Sequence, residues 1–339
     1  MARSTRAGAA ALVERIGAFR WGDSGASWQP GIEEVPEFGS NPGDLRMFSF
    51  VPGKVRAGAP LVVALHGCGQ TAASYDHGIG WSKLAEKLGF ALLLPEQKRA
   101  NNFNRCFGWF CPADMERDAG EPASIRQMVS FMVARHRLDP SRVFVTGLSA
   151  GGAMACTLLA TYPEVFAGGA IVAGMPYKAA YGRIDALSAM VHGRVRPSLI
   201  WAGLVRAASS HRGNWPRISV WHGTEDRTVS PVNGGEIVKQ WVGVHRLSRT
   251  PASADRVNGH RRRAWLNRAG VEVVEEYVVD GMAHGTPVRT GGRARSVMTA
   301  PYVFDMGISC AEHAAWFWGL TKRRPGHWTK PKPKAKAKR

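Results

Sequence analysis

Cysteine is scarce in this chain. Five cysteines among 339 residues, with no C-x-x-C pair, exclude a disulfide-framework fold and leave no zinc-ligand spacing. No metal site or cofactor is expected. Long apolar runs are missing too: no stretch of about 18 apolar residues occurs, so no transmembrane helix is expected. At the N-terminus a short apolar patch is interrupted by Glu14 and Arg15, too early for a cleavable signal, which makes a cytoplasmic location the default expectation. Acid is the third shortage. Twenty-six Asp and Glu face 45 Lys and Arg, a net charge of +19. Residues 321–339 hold nine of those bases and no acid, which leaves +10 on the other 320 residues. Alternating Lys-Pro and Lys-Ala cannot bury a core, so the tail is expected to be disordered. It serves either as a solubiliser or as a tether to an anionic surface, such as nucleic acid, acidic lipid or a polymer granule.

What the chain does have is an α/β pattern. Continuous apolar runs at 59–65, 90–95, 143–146, 166–172 and 217–221 read as strands buried on both faces. The segments 79–88, 121–136 and 152–162 have helical spacing. Residues 44–52 and 271–279 read as further strands, and 302–318 as an irregular start closed by a helix. Such alternation implies a mostly parallel sheet with helices on both faces. Residues 1–40 read as an N-terminal arm with one short helix within 8–20. Residues 41–320 read as one catalytic domain, in which 175–215 break the alternation as a cap or side insertion. Arg256, Arg261, Arg262, Arg263 and Arg268 are expected on a solvated helix face.

Between the strand at 143 and the helix after it stands Gly147-Leu-Ser-Ala-Gly151. This is a G-x-S-x-G turn in the strand-to-helix context that gives the motif meaning. Small residues on either side let the turn tighten until Ser149 projects into a cleft. A serine hydroxyl needs a base, and the base needs a carboxylate to fix its tautomer. With the order serine, acid, histidine, Asp226 follows the strand at 217–221, with Glu225 as its rival. His284 lies between the strand at 271–279 and Gly285. His222 comes too early in the chain, His260 lies in the arginine-rich stretch and is expected at the surface, and His313 lies in the last helix. The oxyanion requires two backbone N–H donors, which Ala150 and Cys68 are placed to supply. Gly67 and Gly69 let the Cys68 loop turn inward. The aromatic stretch Arg105–Cys111 suggests an apolar substrate wall of Phe107, Trp109 and Phe110, with Tyr75 and Trp81 added, or else a hydrophobic cluster under a long loop. Cys106 and Cys111 bracket that loop. In a reducing compartment they stay thiols; if the protein is exported, a Cys106–Cys111 bridge is expected.

Together, Leu65-His-Gly-Cys-Gly-Gln70, Cys106-Phe-Gly-Trp-Phe110, Gly147–Gly152, Trp221-His-Gly-Thr-Glu-Asp226 and Gly281-Met-Ala-His-Gly285 resemble the esterases of the polyhydroxybutyrate (PHB) depolymerase type, over about residues 45–320. The resemblance implies an α/β-hydrolase fold and serine-dependent cleavage of carboxylic esters through an acyl-enzyme, with Ser149, Asp226 and His284 as triad. It implies hydroxyalkanoate oligomers or short-chain esters as substrates, or alternatively feruloyl and acetylxylan esters, and it admits an extracellular location. Many such proteins carry an aromatic residue soon after the histidine, where this chain has Gly285-Thr-Pro-Val288.

Overall fold

The computed structural model describes residues 31–291, 297–322 and 325. The helix expected within 8–20 and nearly all of the basic tail lie outside these residues.

The strands are β1 (Ile32–Glu34), β2 (Arg46–Phe50), β3 (Leu61–Leu65), β4 (Ala91–Glu96), β5 (Val143–Leu148), β6 (Gly168–Val172), β7 (Arg217–Gly223), β8 (Ser253–Val257), β9 (His260–Leu266) and β10 (Glu272–Val279). They form one sheet in the order β1-β2-β4-β3-β5-β6-β7-β10-β9-β8. The six from β4 to β10 in that order run parallel, and antiparallel strands close both edges. A small second sheet joins β11 (Thr286–Val288), β13 (Val303–Asp305) and β12 (Val297–Ala300).

The central strands are apolar throughout because both of their faces are covered. Leu61, Val63, Val143 and Val145 face one cluster with the helices α3 (Gly120–His136), α4 (Ala150–Thr161) and α7 (Val232–Val244). Val62, Ala64, Phe144 and Ala170 face the other with α1 (Ala72–Ile79), α2 (Trp81–Leu88) and α8 (Cys310–Phe317). The period-two alternation of strand side chains assigns each residue to its layer. The fold is that of an α/β-hydrolase.

Four local expectations are corrected. The last residues of the expected arm form edge strand β1, paired antiparallel with β2. The helix expected over 79–88 is α2, which begins at Trp81, and a further helix not expected, α1, precedes it and ends at Gly80, which sits at φ +81°. Asp76 stabilises the joint by accepting from the backbone N–H and hydroxyl of Ser82 at 2.7 and 2.6 Å. The arginine cluster is no helix face but largely the hairpin of β8 and β9. Strand alternation there puts Arg261 and Arg263 outside and buries Arg262 against Glu275, 2.8 Å away. His260, expected at the surface, is buried at the hairpin's start, 2.9 Å from the Met306 carbonyl.

The interrupting segment carries α5 (Arg183–His192) and α6 (Ser198–Ala207). Helix α6 is anchored on α7 by the buried indole of Trp201, which donates to Glu236 at 2.7 Å. Helix α5 borders the aromatic loop, where the Gly182 N–H donates to the Phe110 carbonyl at 2.8 Å.

Candidate active site

Strand order places the site. β4 and β5 flank β3 on opposite sides, so the connections leaving β3 and β5 part in opposite directions and open a crevice at their C-terminal ends. The Cys68 loop follows β3, and Ser149 follows β5. Asp226 and His284 lie beyond the same ends of β7 and β10.

Ser149 stands at φ 58°, ψ −117°, a conformation that costs a non-glycine residue of order 1–3 kcal/mol. The turn enforces it. A Cβ on Gly147 would lie 2.3 Å from the Gly151 carbonyl group, and one on Gly151 would lie 2.4 Å from the Leu65 carbonyl oxygen. Glycine at both positions lets strand, elbow and helix approach this closely. The Ser149 N–H is held by the Val172 carbonyl at 2.9 Å.

His284 Nδ1 lies 2.8 Å from Asp226 Oδ2. Since a carboxylate only accepts, the proton sits on Nδ1, which leaves Nε2 free to act as a base. Asp226 is itself held firmly. Its Oδ1 accepts the N–H groups of Thr228 and Val229 at 2.9 and 2.8 Å. Burial pushes its carboxyl up, but the charge of His284 and the hydrogen bonds from His222 and His284 outweigh burial and hold it well below the usual carboxylate range. Glu225, the rival acid, is exposed and has no part in this pair.

His222 is the residue that sequence reasoning set aside. Its Nε2 lies 3.2 Å from Asp226 Oδ2 and 2.9 Å from the Val229 carbonyl, so it braces the same carboxylate. The signal was present in Trp221–Asp226: a histidine four residues before the acid, at the end of a strand.

The Cys68 loop is fixed from several directions. His66 is fully buried, and its Nε2 accepts the Gln97 N–H at 3.1 Å, so its Nδ1 donates to the Gly67 carbonyl at 2.8 Å. Gln70 accepts the Gly67 N–H at 2.9 Å, and the Gly69 N–H donates to Asn104 at 2.7 Å. Neither the Cys68 nor the Ala150 N–H donates to any acceptor among the described residues. Both are thus available to an oxyanion.

Cys68 forms a disulfide with Cys106, and Cys111 is free. The Cys106–Cys111 bridge and the all-thiol reading are therefore both corrected. Spacing alone favoured the near neighbour, but the fold brings the β3 loop against the aromatic loop, 38 residues away in sequence.

Of the expected aromatic wall, Trp109 and Phe110 cluster with Ala150, Cys68 and Cys106 beside the elbow. Phe107 is fully buried beneath them, its ring 4.9 Å from that of His66. Tyr75 and Trp81 are core residues on the α1–α2 side, with Trp81 stacked on Trp318 at 6.1 Å. Helical segments with buried aromatics look alike in sequence whether they line a cleft or a core. Tyr302 meets the His284 ring edge-on at 5.9 Å, so the aromatic neighbour missing after His284 is supplied from the turn before β13.

A family model described as esterase PHB depolymerase matches residues 47–264, a span that includes Ser149 and Asp226 and ends before His284. The chain is 44% identical over 291 residues to poly(3-hydroxyalkanoate) depolymerase C of Paucimonas lemoignei, covering 85% of this chain and 70% of that one. It is 33% identical over 267 residues to an acetylxylan esterase of Coprinopsis cinerea, covering 76% and 69%. Among solved structures it resembles an acetyl xylan esterase from Aspergillus awamori, with a TM-score of 0.68 and 28% identity over 75% of this chain and 93% of that one.

Proposed function

The chain belongs to the esterase PHB depolymerase family, and on that premise we propose that Ser149, His284 and Asp226 hydrolyse carboxylic esters of hydroxyalkanoate oligomers or short-chain acids. The observation that carries this reading is the 2.8 Å His284–Asp226 pair at the sheet edge that also bears the strained Ser149 elbow. Ser149 Oγ adds to the ester carbonyl carbon while its proton passes to His284 Nε2. Asp226 keeps the Nδ1 proton and stabilises the imidazolium. The oxyanion is received by the N–H groups of Cys68 and Ala150. His284 then gives its proton to the departing alcohol, and an acyl-enzyme remains. Water adds to the acyl carbon and loses a proton to His284. Collapse expels Ser149 Oγ, which takes that proton back as the acid leaves.

The hydroxyalkanoate assignment is supported by the depolymerase at 44% identity. A second reading, a carbohydrate esterase for acetyl or feruloyl groups, is supported by the likeness to acetylxylan esterases. The Cys68–Cys106 disulfide favours an oxidising compartment over the cytoplasm. Among the described residues no helix is long and apolar enough to cross a membrane. Initial rates on hydroxybutyrate oligomers, acetylated xylan and methyl ferulate separate the readings. The hydroxyalkanoate reading requires kcat/KM on the oligomers to exceed the others by at least about tenfold; the reverse order assigns the site to carbohydrate esters.

A further inference from the structure

A carboxyl group that the proposed ester chemistry leaves idle is buried at the root of the aromatic loop. Between the end of β4 and the start of α3, residues 97–119 form no strand and only one short 3₁₀ turn, Pro112–Asp114. Buried backbone groups in such a segment need partners that regular structure does not supply. Glu121, in the first turn of α3, is one source. Its Oε2 accepts the Gly108 N–H at 2.8 Å, and its Oε1 accepts the side-chain amide of Gln97. Asp114 lies alongside, accepting the Glu121 N–H at 2.8 Å and leaving no room for a side chain at Gly108 or Gly120.

Gln97, buried just past β4, is the other half of the arrangement. Its side-chain oxygen accepts the Lys98 N–H at 3.0 Å and the Asn101 amide at 2.9 Å, so its nitrogen faces Glu121 and reaches the Cys106 carbonyl at 3.4 Å. Its backbone N–H donates to His66 Nε2 at 3.1 Å, and His66 Nδ1 donates to the Gly67 carbonyl at 2.8 Å. The pair thus grips the aromatic loop at Cys106 and Gly108, on either side of Phe107, and reaches the loop after β3 through His66. A cleft of about 260 Å³ opens beside Gln97, Gly108, Asp114 and Glu121, so on this side polar contacts rather than packing fix the loop. The position so fixed is passed on in two ways: Cys106 is bonded to Cys68, and Gly108 precedes Trp109, which clusters with Ala150 beside Ser149.

We propose that Gln97 and Glu121 are a positioning pair for the ester chemistry: by clamping Cys106 and Gly108 they set where the Cys68 N–H and Trp109 stand against Ser149. The proposal rests on the reading of Ser149 as nucleophile and of the Cys68 N–H as oxyanion donor. Misplacing a positioned group by about 1 Å costs on the order of 10²-fold. An oxyanion donor acts where charge develops in the transition state, so the loss falls on kcat rather than on KM.

The test is a cycle of variants of the full chain on p-nitrophenyl butyrate, each assayed well below its Tm. A carboxyl oxygen accepts in either protonation state, whereas an amide nitrogen does not. Glu121→Gln keeps the shape but leaves one of two donors, Gly108 or Gln97, without an acceptor. It should lower kcat by at least about tenfold with KM within about threefold of wild type. Gln97→Glu sets carboxyl against carboxyl and should lose as much. Exchanging the two side chains, Gln97→Glu/Glu121→Gln, restores the match: the amide now at 121 donates to the carboxylate now at 97, and its oxygen accepts the Gly108 N–H. Coupled residues recover in such a cycle, so kcat should return to within about threefold of wild type. Additive losses in the exchange variant, or a loss confined to KM, would overturn the pair. Wild-type turnover that Ser149→Ala abolishes secures the underlying reading, and Glu121→Gln matching wild type in that same assay would overturn the positioning role alone. Turnover that survives Ser149→Ala would sink the reading and the pair with it.

Discussion

His222 Nε2 lies 3.2 Å from Asp226 Oδ2, the oxygen that also receives His284 Nδ1 at 2.8 Å. The carboxylate is thereby oriented by two imidazoles and two backbone amides rather than by one partner. Hydrogen bonds to charged groups are worth about 1.5–3 kcal/mol. His222→Gln should lower kcat about tenfold on a soluble ester with KM nearly unchanged, since His222 acts through Asp226. A matching loss in KM, or no loss in kcat, would separate His222 from the reaction.

The Cys68–Cys106 bridge ties the loop after β3 to the aromatic loop. For a closed loop of this length, chain entropy alone gives about 4 kcal/mol. Cys68→Ala/Cys106→Ala should lower Tm by on the order of 10 °C and kcat with it, as the Cys68 N–H loses its anchor. Non-reducing peptide mapping should find Cys68 joined to Cys106 and Cys111 open to alkylation. A Cys106–Cys111 peptide would contradict the arrangement.

Glu121 is a buried carboxyl that accepts from Gly108 at 2.8 Å and from the Gln97 amide. Burial first, and repulsion from Asp114 second, push its pKa from 4.5 up to about 8. A folded value above the unfolded one means the native state holds the proton more tightly. Below the unfolded value the group is protonated in both states. Above it, stability falls as pH rises through about 8 and then levels off. Glu121→Gln should therefore gain in Tm over wild type between about pH 5 and 9, reaching at least about 2 °C. A difference independent of pH would show that Glu121 is charged throughout.

Arg262 and Arg261 are neighbours in sequence with opposite surroundings. Arg262 is buried against Glu275, which in turn accepts from Ser219 at 2.7 Å. Arg261 pairs with Asp280 at the surface. Arg262→Ala should cost about 3–5 kcal/mol, because it strands a buried carboxylate. Arg261→Ala should cost less than about 1 kcal/mol. Denaturant midpoints measure both, and equal losses would contradict the strand register.

The parallel sheet, the tight turn at Ser149 and the pairing of Asp226 with His284 were legible because each has a local signature: apolar runs, glycines around Ser149, and polar residues just past strand ends. Three features were not. The Cys68–Cys106 pairing and the inward turn of Arg262 depend on which strands become neighbours, which spacing does not encode. Tyr75 and Trp81 read as a site wall because their helical period is the same in a core as at a cleft. Helix α1 shows the converse, an element whose local signals the chain does carry: Thr71 and Ser74 form a capping box at its start, and Gly80 at positive φ ends it.

Every step of the proposed hydrolysis depends on Ser149 as the nucleophile. The direct measurement is kcat/KM of Ser149→Ala on p-nitrophenyl butyrate, alongside the wild-type chain and with circular dichroism confirming the fold. Loss of a triad serine costs on the order of 10⁶-fold in a well-formed site, so a fall of at least about 10⁴-fold is expected. Turnover within about tenfold of wild type would contradict it.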